Sequence, residues 1–209
     1  MTASRSRGRP REFDRQAALA KATRLFWQKG FEATSISDLT EAMGIGSPSL
    51  YAAFGSKEAL YAEALRDYAE SNGSLVWGRF SAAETAREAV SSFLMDSAAT
   101  LTGCVVDIPL GCMVALSAVG SEGHLELGEM VRLERRSTFT RLQARFERAV
   151  ANGELSAAVD IQALARFVQT IQFGMSILAR DGAQRSELES VAQVALAGWD
   201  ARVTHKEPA

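Results

Sequence analysis

Basic side chains are concentrated near the N-terminal end of this chain, at a spacing that suits contact with phosphate groups. Arginine occupies every second position from 5 to 11, and residues 1–57 contain nine Lys or Arg against five Asp or Glu. Residues 58–209 contain fourteen basic and twenty acidic residues, which leaves the whole chain with a formal net charge of −2. This asymmetry indicates that only the N-terminal third meets a polyanion such as nucleic acid, although scattered solvated charge gives the same balance.

Small hydroxyl side chains at the start of a short predicted helix form a second group suited to binding. Ser47-Pro48-Ser49 follows the turn Gly44-Ile45-Gly46, and the proline presets the backbone for a helix that extends to Phe54. Leu50, Tyr51 and Phe54 fall on one apolar face of that helix. Two short helices joined by a glycine-containing turn indicate a helix-turn-helix, whose second helix enters the DNA major groove. Spacing alone leaves a helical hairpin in a globular core as the alternative.

Helical periodicity predicts the elements that hold this pair of helices. Asp14 caps a first helix that ends at Gly30, and Thr34 or Ser35 caps the next one. A fourth helix follows Ser56, and its pattern is disturbed around residues 73–78 by two glycines. Beyond residue 80 the apolar spacing predicts only helices, over about residues 85–101, 111–119, 124–151, 160–180 and 184–202.

The run from Phe26 to Leu60 resembles the DNA-binding domain of the TetR family, and the likeness covers about residues 13–65. The residues that carry it are Lys29–Ser35, Ile36–Leu39, Gly44-Ile45, Leu50-Tyr51, Phe54 and Gly55–Leu60. The resemblance implies an all-α fold of about nine helices. It also implies a flexible basic arm at residues 1–11, a three-helix helix-turn-helix domain at 12–60, and a helical sensor and dimerisation domain at 61–209.

The resemblance also implies roles for individual positions. Thr34 stands at the N-cap of the first motif helix, where its hydroxyl, Ser35 and the helix N-terminus would hold a phosphate. Lys57 matches the family's phosphate-contacting lysine. Ala52 and Ala53 replace residues that are polar or aromatic in many members, which shifts discrimination towards DNA shape. The residues expected on the recognition helix are Ser47, Pro48, Ser49 and Tyr51.

The basic arm contains a further short motif. Arg7-Gly8-Arg9-Pro10 resembles the core of an AT-hook, in which two arginines flank a glycine. We expect Arg7 and Arg9 to enter a narrow A·T minor groove, where the negative potential is deepest. A basic tail without such a contact is the alternative interpretation.

The last two predicted helices have apolar faces long enough to form a dimer interface. With Gly174 and Gly198 allowing close approach, two helices from each subunit would build a four-helix contact; a monomeric bundle core is the alternative. The helix that begins after Asp160 also has a second apolar side, which includes Phe167 and Ile177. The predicted interface residues are Ile161, Leu164, Val168, Ile171, Met175, Leu188, Val191, Ala195 and Trp199.

A ligand pocket is expected between the middle helices, although aromatic and methionine stripes are more often plain core. Cys112 follows Gly111 at the start of an apolar helix, a position that favours thiol reactivity towards oxidants or electrophiles. Cys104 is its possible partner, and a small buried hydrophobe is the alternative role for Cys112. The predicted lining residues are Trp77, Phe80, Phe93, Cys112, Met113, Leu116, Phe139, Leu142, Phe146 and Phe173.

Other classes of protein lack support in the sequence. It contains no glycine-rich phosphate loop, no nucleophile motif and no paired carboxylates with a histidine, so we expect no enzyme and no cofactor. His124 and His205 form no metal-ligand cluster with the cysteines. A charged N-terminus and the lack of a long apolar run favour a cytoplasmic protein.

We therefore expect a homodimeric regulator that binds a near-palindromic double-stranded operator and is a repressor released by a small-molecule effector. The alternatives are a thiol-based redox or electrophile sensor that uses Cys112, a DNA-binding activator, or an architectural DNA binder without a sensor.

Overall fold

The computed structural model describes residues 13–204, except for the side chain of Thr204, and all regular structure in this range is helical. Its nine helices are α1 (Arg15–Lys29), α2 (Ile36–Met43), α3 (Ser47–Phe54), α4 (Lys57–Ala82), α5 (Ala86–Leu101), α6 (Met113–Leu116), α7 (Leu125–Ala151), α8 (Ile161–Arg180) and α9 (Arg185–Thr204). The all-α prediction is confirmed. The predicted arm, with Arg7 and Arg9, and His205 lie outside the described residues. None of the described helices is long and apolar enough to cross a membrane.

Side-chain caps fix the first helices at the expected places, with one correction. Asp14 caps α1 by accepting from the Ala17 amide at 3.0 Å. Ser35 caps α2 by accepting from the amide of Asp38, whose carboxylate accepts in turn from the Ser35 amide. The prediction that Thr34 is this N-cap is wrong, because its side chain is fully buried and its hydroxyl donates to the Gly30 carbonyl at 2.6 Å.

Helices α1, α2 and α3 are here called the head (residues 13–56). They pack around the head core, one of two hydrophobic cores in the described chain. Phe26, Leu39 and Leu50 lie in its interior and are almost inaccessible to solvent. The remainder of the described chain, residues 57–204, is called the body, and it contains the second hydrophobic core, called the body core. The first turns of α4 complete the head core with Leu60 and Leu65, and α6 and α7 also contribute residues to it. The head therefore depends on body residues for its packing.

Helix α4 belongs to both regions and is longer than predicted. It runs without a break from Lys57 to Ala82, so the disturbance expected at Gly73 and Gly78 is wrong. Each glycine costs about 1 kcal/mol in a helix interior relative to alanine. Packing at both ends offsets that cost, because Leu60 lies in the head core and Phe80 in the body core. The helix also crosses the expected domain boundary between residues 60 and 61.

Helix α6 is shorter than predicted, because its flanking backbone is not helical. Gly111 has a φ of 76°, and Cys112 is extended, so the helix starts at Met113 rather than Gly111. A Cβ added at Gly111 would lie 2.8 Å from the Ser176 carbonyl oxygen and 2.6 Å from Leu116 Cδ1. Glycine is therefore required where this segment passes α8.

The stripe predicted as the dimer interface is instead the face of α8 and α9 that packs inside the subunit. Its members contact the body core, together with α5 and α7, and none is exposed: Leu164, Val168, Met175, Leu188, Ala195 and Trp199 are buried, and Ile161, Ile171 and Val191 are half-buried. Trp199 packs on Phe146 with ring centroids 5.0 Å apart. The interface prediction is wrong for the six buried residues, because their side chains are already covered inside the subunit, and it stays a prediction for Ile161, Ile171 and Val191.

Candidate nucleic-acid interface and ligand cavity

Helix α3 exposes a continuous polar face at its N-terminal end. Ser47, Pro48 and Ser49 are exposed, whereas Leu50 and Phe54 are buried against the head core. Tyr51 is 47% exposed and therefore lies outside the packing face to which the sequence assigned it. Ala52 is exposed beside it. This face has the length and the small side chains needed to approach base edges in a major groove.

The orientation of α3 is fixed by Arg15, which sequence reasoning missed. The Arg15 guanidinium donates to the Ala53 carbonyl at 3.3 Å and to the Glu63 carboxylate at 2.7 and 2.8 Å. It also lies over the Phe54 ring, 4.5 Å from the centroid. One side chain of α1 thus links the last turn of α3 to α4. A basic residue in the first turn of an amphipathic helix gives no sequence signal for such a role.

The N-terminus of α2 forms a second polar site beside α3. The carboxylate of Asp38 accepts from the amide and hydroxyl of Ser35 and from Lys29 Nζ at 3.0 Å. These hydrogen bonds, first from the Ser35 backbone and then from Lys29, lower the pKa of Asp38 to about 2. Lys57 at the start of α4 places its Nζ 4.2 Å from the Phe31 ring centroid. Its ammonium has no ion-pair partner among the described residues.

A cavity of about 130 Å³ lies in the body between α4, α5, α7 and α8. Four of the predicted lining residues border it, namely Trp77, Phe93, Cys112 and Phe173. Polar side chains, which apolar periodicity does not reveal, also line the cavity: Tyr68, Asn72, Thr100, Ser137, Thr138 and Gln172. The Thr100 hydroxyl is buried without a hydrogen-bond partner among the described residues.

The other predicted lining residues lie elsewhere, so those predictions are wrong for this cavity. Leu142 and Phe146 are fully buried in the body core. The Arg166 guanidinium lies over the Phe139 ring, 3.8 Å from the ring centroid. Met113 and Leu116 border a different cavity of about 170 Å³ beside α1. Phe80 borders an open groove of about 630 Å³ between α4 and α7. Apolar spacing identified apolar residues but not the element that each one faces.

Cys112 borders the cavity and contacts Tyr68. The Tyr68 hydroxyl donates to Cys112 Sγ at 3.2 Å, and the Ala115 amide donates to the same sulfur at 3.4 Å. Burial, followed by the neighbouring Cys112, raises the pKa of Tyr68 well above its ordinary value, so the phenol stays protonated. Cys104 is exposed in the loop after α5, and both cysteines are free thiols.

Helices α2 and α3, with the short turn between them, form a helix-turn-helix in which α3 is the helix that would enter a DNA groove. Residues 18–64 match the family described as bacterial regulatory proteins, tetR family. The chain is 37% identical over 203 residues to the HTH-type transcriptional repressor ComR of Escherichia coli K12, with 93% of each chain covered. The chain belongs to the TetR family of transcriptional regulators. Because this family consists of DNA-binding regulators, the prediction that the chain is not an enzyme is confirmed.

Two further similarities concern the head and the whole fold. The HTH-type transcriptional repressor BdcR of Escherichia coli K12 is 51% identical over 65 residues, which is 31% of this chain and 33% of BdcR. A solved structure of a CifR cysteine mutant, complexed with 26 bp double-strand operator DNA, is 39% identical with a TM-score of 0.85. The match covers 92% of this chain and 100% of that one.

Proposed function

We propose that this protein is a homodimeric repressor that binds a near-palindromic operator through α3 and releases it when a small ligand enters the body cavity. The exposed polar face of the braced helix α3 carries the proposal, because it is the part of the head shaped to enter a groove. The similarity to ComR and BdcR, both described as repressors, and to operator-bound CifR supports it. Its place of action is then the cytoplasm, where the DNA is.

The head offers two kinds of DNA contact. Ser47, Ser49 and Tyr51 would meet bases or phosphates in the major groove, with Pro48 in apolar contact. The Ser35 end of α2 and the ammonium of Lys57 would meet phosphates, which fix position and carry no sequence information. Thr34 has no place in this list, because its buried hydroxyl already donates to Gly30.

Contacts by Arg7 and Arg9 in the minor groove remain part of the proposal. Each arginine that binds a phosphate releases condensed counterions, so affinity becomes more sensitive to salt. Deleting residues 1–10 should therefore reduce the slope of log affinity against log salt by about one unit for each lost contact. The preference for A·T-rich flanks should fall as well. An unchanged slope would show that the arm makes no contact.

The dimer would form through the outer faces of α8 and α9 rather than the stripe predicted from the sequence. These faces hold apolar residues that no part of the described chain covers, including Ile177, which is 54% exposed, and Val194, which is 75% exposed. Phe167 is also exposed, and Gly174 and Gly198 leave room for close approach. Two-fold pairing of this surface would double the DNA contacts of a single small head.

Release of the operator would begin at α4, because this helix borders the cavity and also packs against the head. Tyr68, Asn72 and Trp77 line it from α4, the helix whose first turns complete the head core. A ligand that prefers a different position of α4 would shift the dimer towards a form with wrongly spaced recognition helices. Trp77 and Arg141 border both the cavity and the outer groove, so the groove between α4 and α7 is the proposed entrance. Apolar and cationic aromatic compounds are the first to screen.

A second candidate is a thiol sensor, favoured by the position of Cys112 Sγ on the cavity wall beside the Tyr68 hydroxyl. An electrophile with a leaving group would form a carbon–sulfur bond, expel that group and release the thiol proton. The product would break the Tyr68 contact and crowd α4. Mass spectrometry of the treated protein, with Cys112→Ser as control, separates this mechanism from reversible ligand binding. Loss of operator affinity that persists in Cys112→Ser contradicts the thiol mechanism.

The test of DNA binding uses the full-length protein. An operator is first selected from a random double-stranded library, and binding is then measured by fluorescence anisotropy. Ser47→Ala combined with Ser49→Ala should lower affinity about tenfold, a typical cost for a lost base or phosphate contact. Thr140→Ala, an exposed hydroxyl on α7, is the matched control and should bind normally. Equal affinity of both variants would contradict the assignment of α3.

A further inference from the structure

A guanidinium at the end of α8 is bound to the end of α1 in the head. Arg180 Nη2 donates to the Trp27 carbonyl at 2.8 Å, and Nη1 donates to the Gln28 carbonyl at 2.9 Å. Its Nε donates to the Leu110 carbonyl at 3.0 Å. The last carbonyls of a helix have no donor within the helix and carry its negative partial charge. Arg180 therefore supplies, from another element, the donors and the positive charge that the end of α1 lacks.

This link differs from the other polar contacts between head and body. Arg24 binds Asp107, and the Trp27 indole donates to Gly111, but both of those partners lie in the loop between α5 and α6. His124, which binds Glu32, is the cap of α7. Among the described residues, Arg180 is the one side chain of α8 or α9 that hydrogen-bonds to the head.

The connection continues from α1 to the recognition helix. At the opposite end of α1, Arg15 binds the Ala53 carbonyl of α3, and between these ends Phe26 lies in the same core as Leu50. A change in the direction of α1 relative to α8 must therefore move α3. The fork of a guanidinium holds three carbonyls in a fixed geometry that a lysine ammonium cannot reproduce. Partial burial lowers the pKa of Arg180 from its ordinary value, and the three carbonyls satisfy donors that burial removes from water.

We propose that Arg180 is a positioning residue for operator binding, which sets the direction of α1 relative to α8 and so the separation of the two recognition helices. The inference rests on the proposed homodimer, because the direction of α1 relative to α8 sets this separation only if the subunits pair through α8. It predicts that Arg180 controls which spacing of half-sites the protein accepts, rather than affinity for a single half-site.

The experiment compares the selected operator with two derivatives that carry one base pair more or one fewer between the half-sites. Each change shifts a half-site by about 3.4 Å and rotates it by about 35°. Arg180→Met and Arg180→Lys are tested as full-length proteins. Arg145→Met is the control, because Arg145 also binds a backbone carbonyl and a carboxylate, but both partners, Glu84 and Glu154, lie in the body.

We expect Arg180→Met to bind the selected operator about five- to tenfold more weakly, at the low end of couplings between protein sites. Its affinity for the two altered spacings should change less than about twofold. The spacing penalty, which is the ratio of the affinity for the selected operator to that for an altered one, should therefore shrink several-fold. Arg145→Met should weaken binding to all three operators alike, if it weakens binding at all. Circular dichroism checks folding. If Arg180→Met does not fold, the spacing penalty is measured on Arg180→Lys instead.

Two outcomes overturn the inference. Either Arg180→Met keeps the wild-type affinity and spacing penalty, or it loses affinity equally on all three operators, as a merely structural residue would. Sedimentation without DNA separates this failure from failure of the proposed function. A monomeric wild-type protein with no spacing penalty contradicts the homodimer and the inference together, whereas a dimer whose penalty survives in Arg180→Met overturns the inference alone.

Discussion

Helices α3 and α8 both leave one face uncovered, and the chemistry of the two faces differs. The outer face of α3 consists of Ser47, Pro48, Ser49 and the hydroxyl-bearing Tyr51, all of which are exposed. The outer face of α8 includes Phe167 and Ile177. Water or a polyanion satisfies hydroxyl groups, whereas an exposed apolar surface gains free energy only when another apolar surface covers it. This difference is the reason for the proposal that nucleic acid covers the face of α3 and a second subunit covers the face of α8.

The largest expected effect tests which face of α9 belongs to the subunit core. Trp199 is 1% exposed and packs on Phe146, so Trp199→Ala should lower the free energy of unfolding by about 3–5 kcal/mol. Urea denaturation at fixed protein concentration measures the change, and Thr140→Ala serves as the surface control. If the variant unfolds like wild type but dissociates, Trp199 lies in an interface after all and the comparison fails.

The next effect concerns the apolar face of α8. Ile177→Asp places a charge on a surface that the dimer would bury, and should weaken dimerisation by about 2–4 kcal/mol while the subunit stays folded. Sedimentation over a concentration series measures the monomer–dimer equilibrium. Leu133→Asp is the matched control, because Leu133 is 51% exposed on α7. Equal dimerisation of the two variants would show that another surface pairs the subunits.

A smaller effect is expected on the polar face of α3. Tyr51→Ala should lower operator affinity by about 1–2 kcal/mol and leave the unfolding curve unchanged, because the ring lies outside the head core. Anisotropy titration and denaturation of the same preparation give both quantities. A loss of stability without a loss of affinity would place Tyr51 in the packing of the head and would contradict the assignment of this face to DNA.

The smallest expected effect is a dependence of folding stability on pH through Asp38, in the first turn of α2. Asp38 has a pKa of about 2 in the folded protein, below its ordinary value of 3.8. A lowered pKa means that its contribution to stability is complete above about pH 4 and is lost as the pH falls towards 2. Asp38→Asn should therefore be less stable at neutral pH, and its stability should fall less steeply than that of wild type between these values. Parallel acid-unfolding curves would contradict the prediction.

Sequence reasoning succeeded where a residue type has one local consequence. Asp14 and Ser35 cap the helices that follow them, and Gly44 in the left-handed conformation ends α2. The limits of α3 were likewise predictable, since proline follows the turn and glycine terminates the helix. Thr34 and Ser35 were not distinguishable in this way, because both are good caps. Thr34 is excluded only by its burial and by the hydrogen bond from its hydroxyl to the Gly30 carbonyl.

Sequence reasoning failed where the outcome depends on distant partners. Gly73 and Gly78 looked like breaks, yet α4 passes through them because the head and body cores hold its two ends. Arg15 and Arg180 gave no signal, since their acceptors are distant in the chain: Ala53 and Glu63 for Arg15, and carbonyls 152 and 153 positions away for Arg180. Only four of the ten predicted lining residues border the cavity, and its hydroxyl and amide groups were missed because they do not follow an apolar stripe.

An all-α chain with a helix-turn-helix at its N-terminal end follows from the amino-acid sequence, because caps, turns and apolar periodicity act over a few residues. Which side of α8 and α9 faces the subunit's own core depends on long-range packing. Both sides of α8 are apolar, so its periodicity gives the existence of a buried face but not its partner. The packing of α5 and α7 against Leu164, Val168 and Trp199 selected the inner side, and the side with Ile177 stays exposed. That exposed side is the one on which the proposed dimer rests.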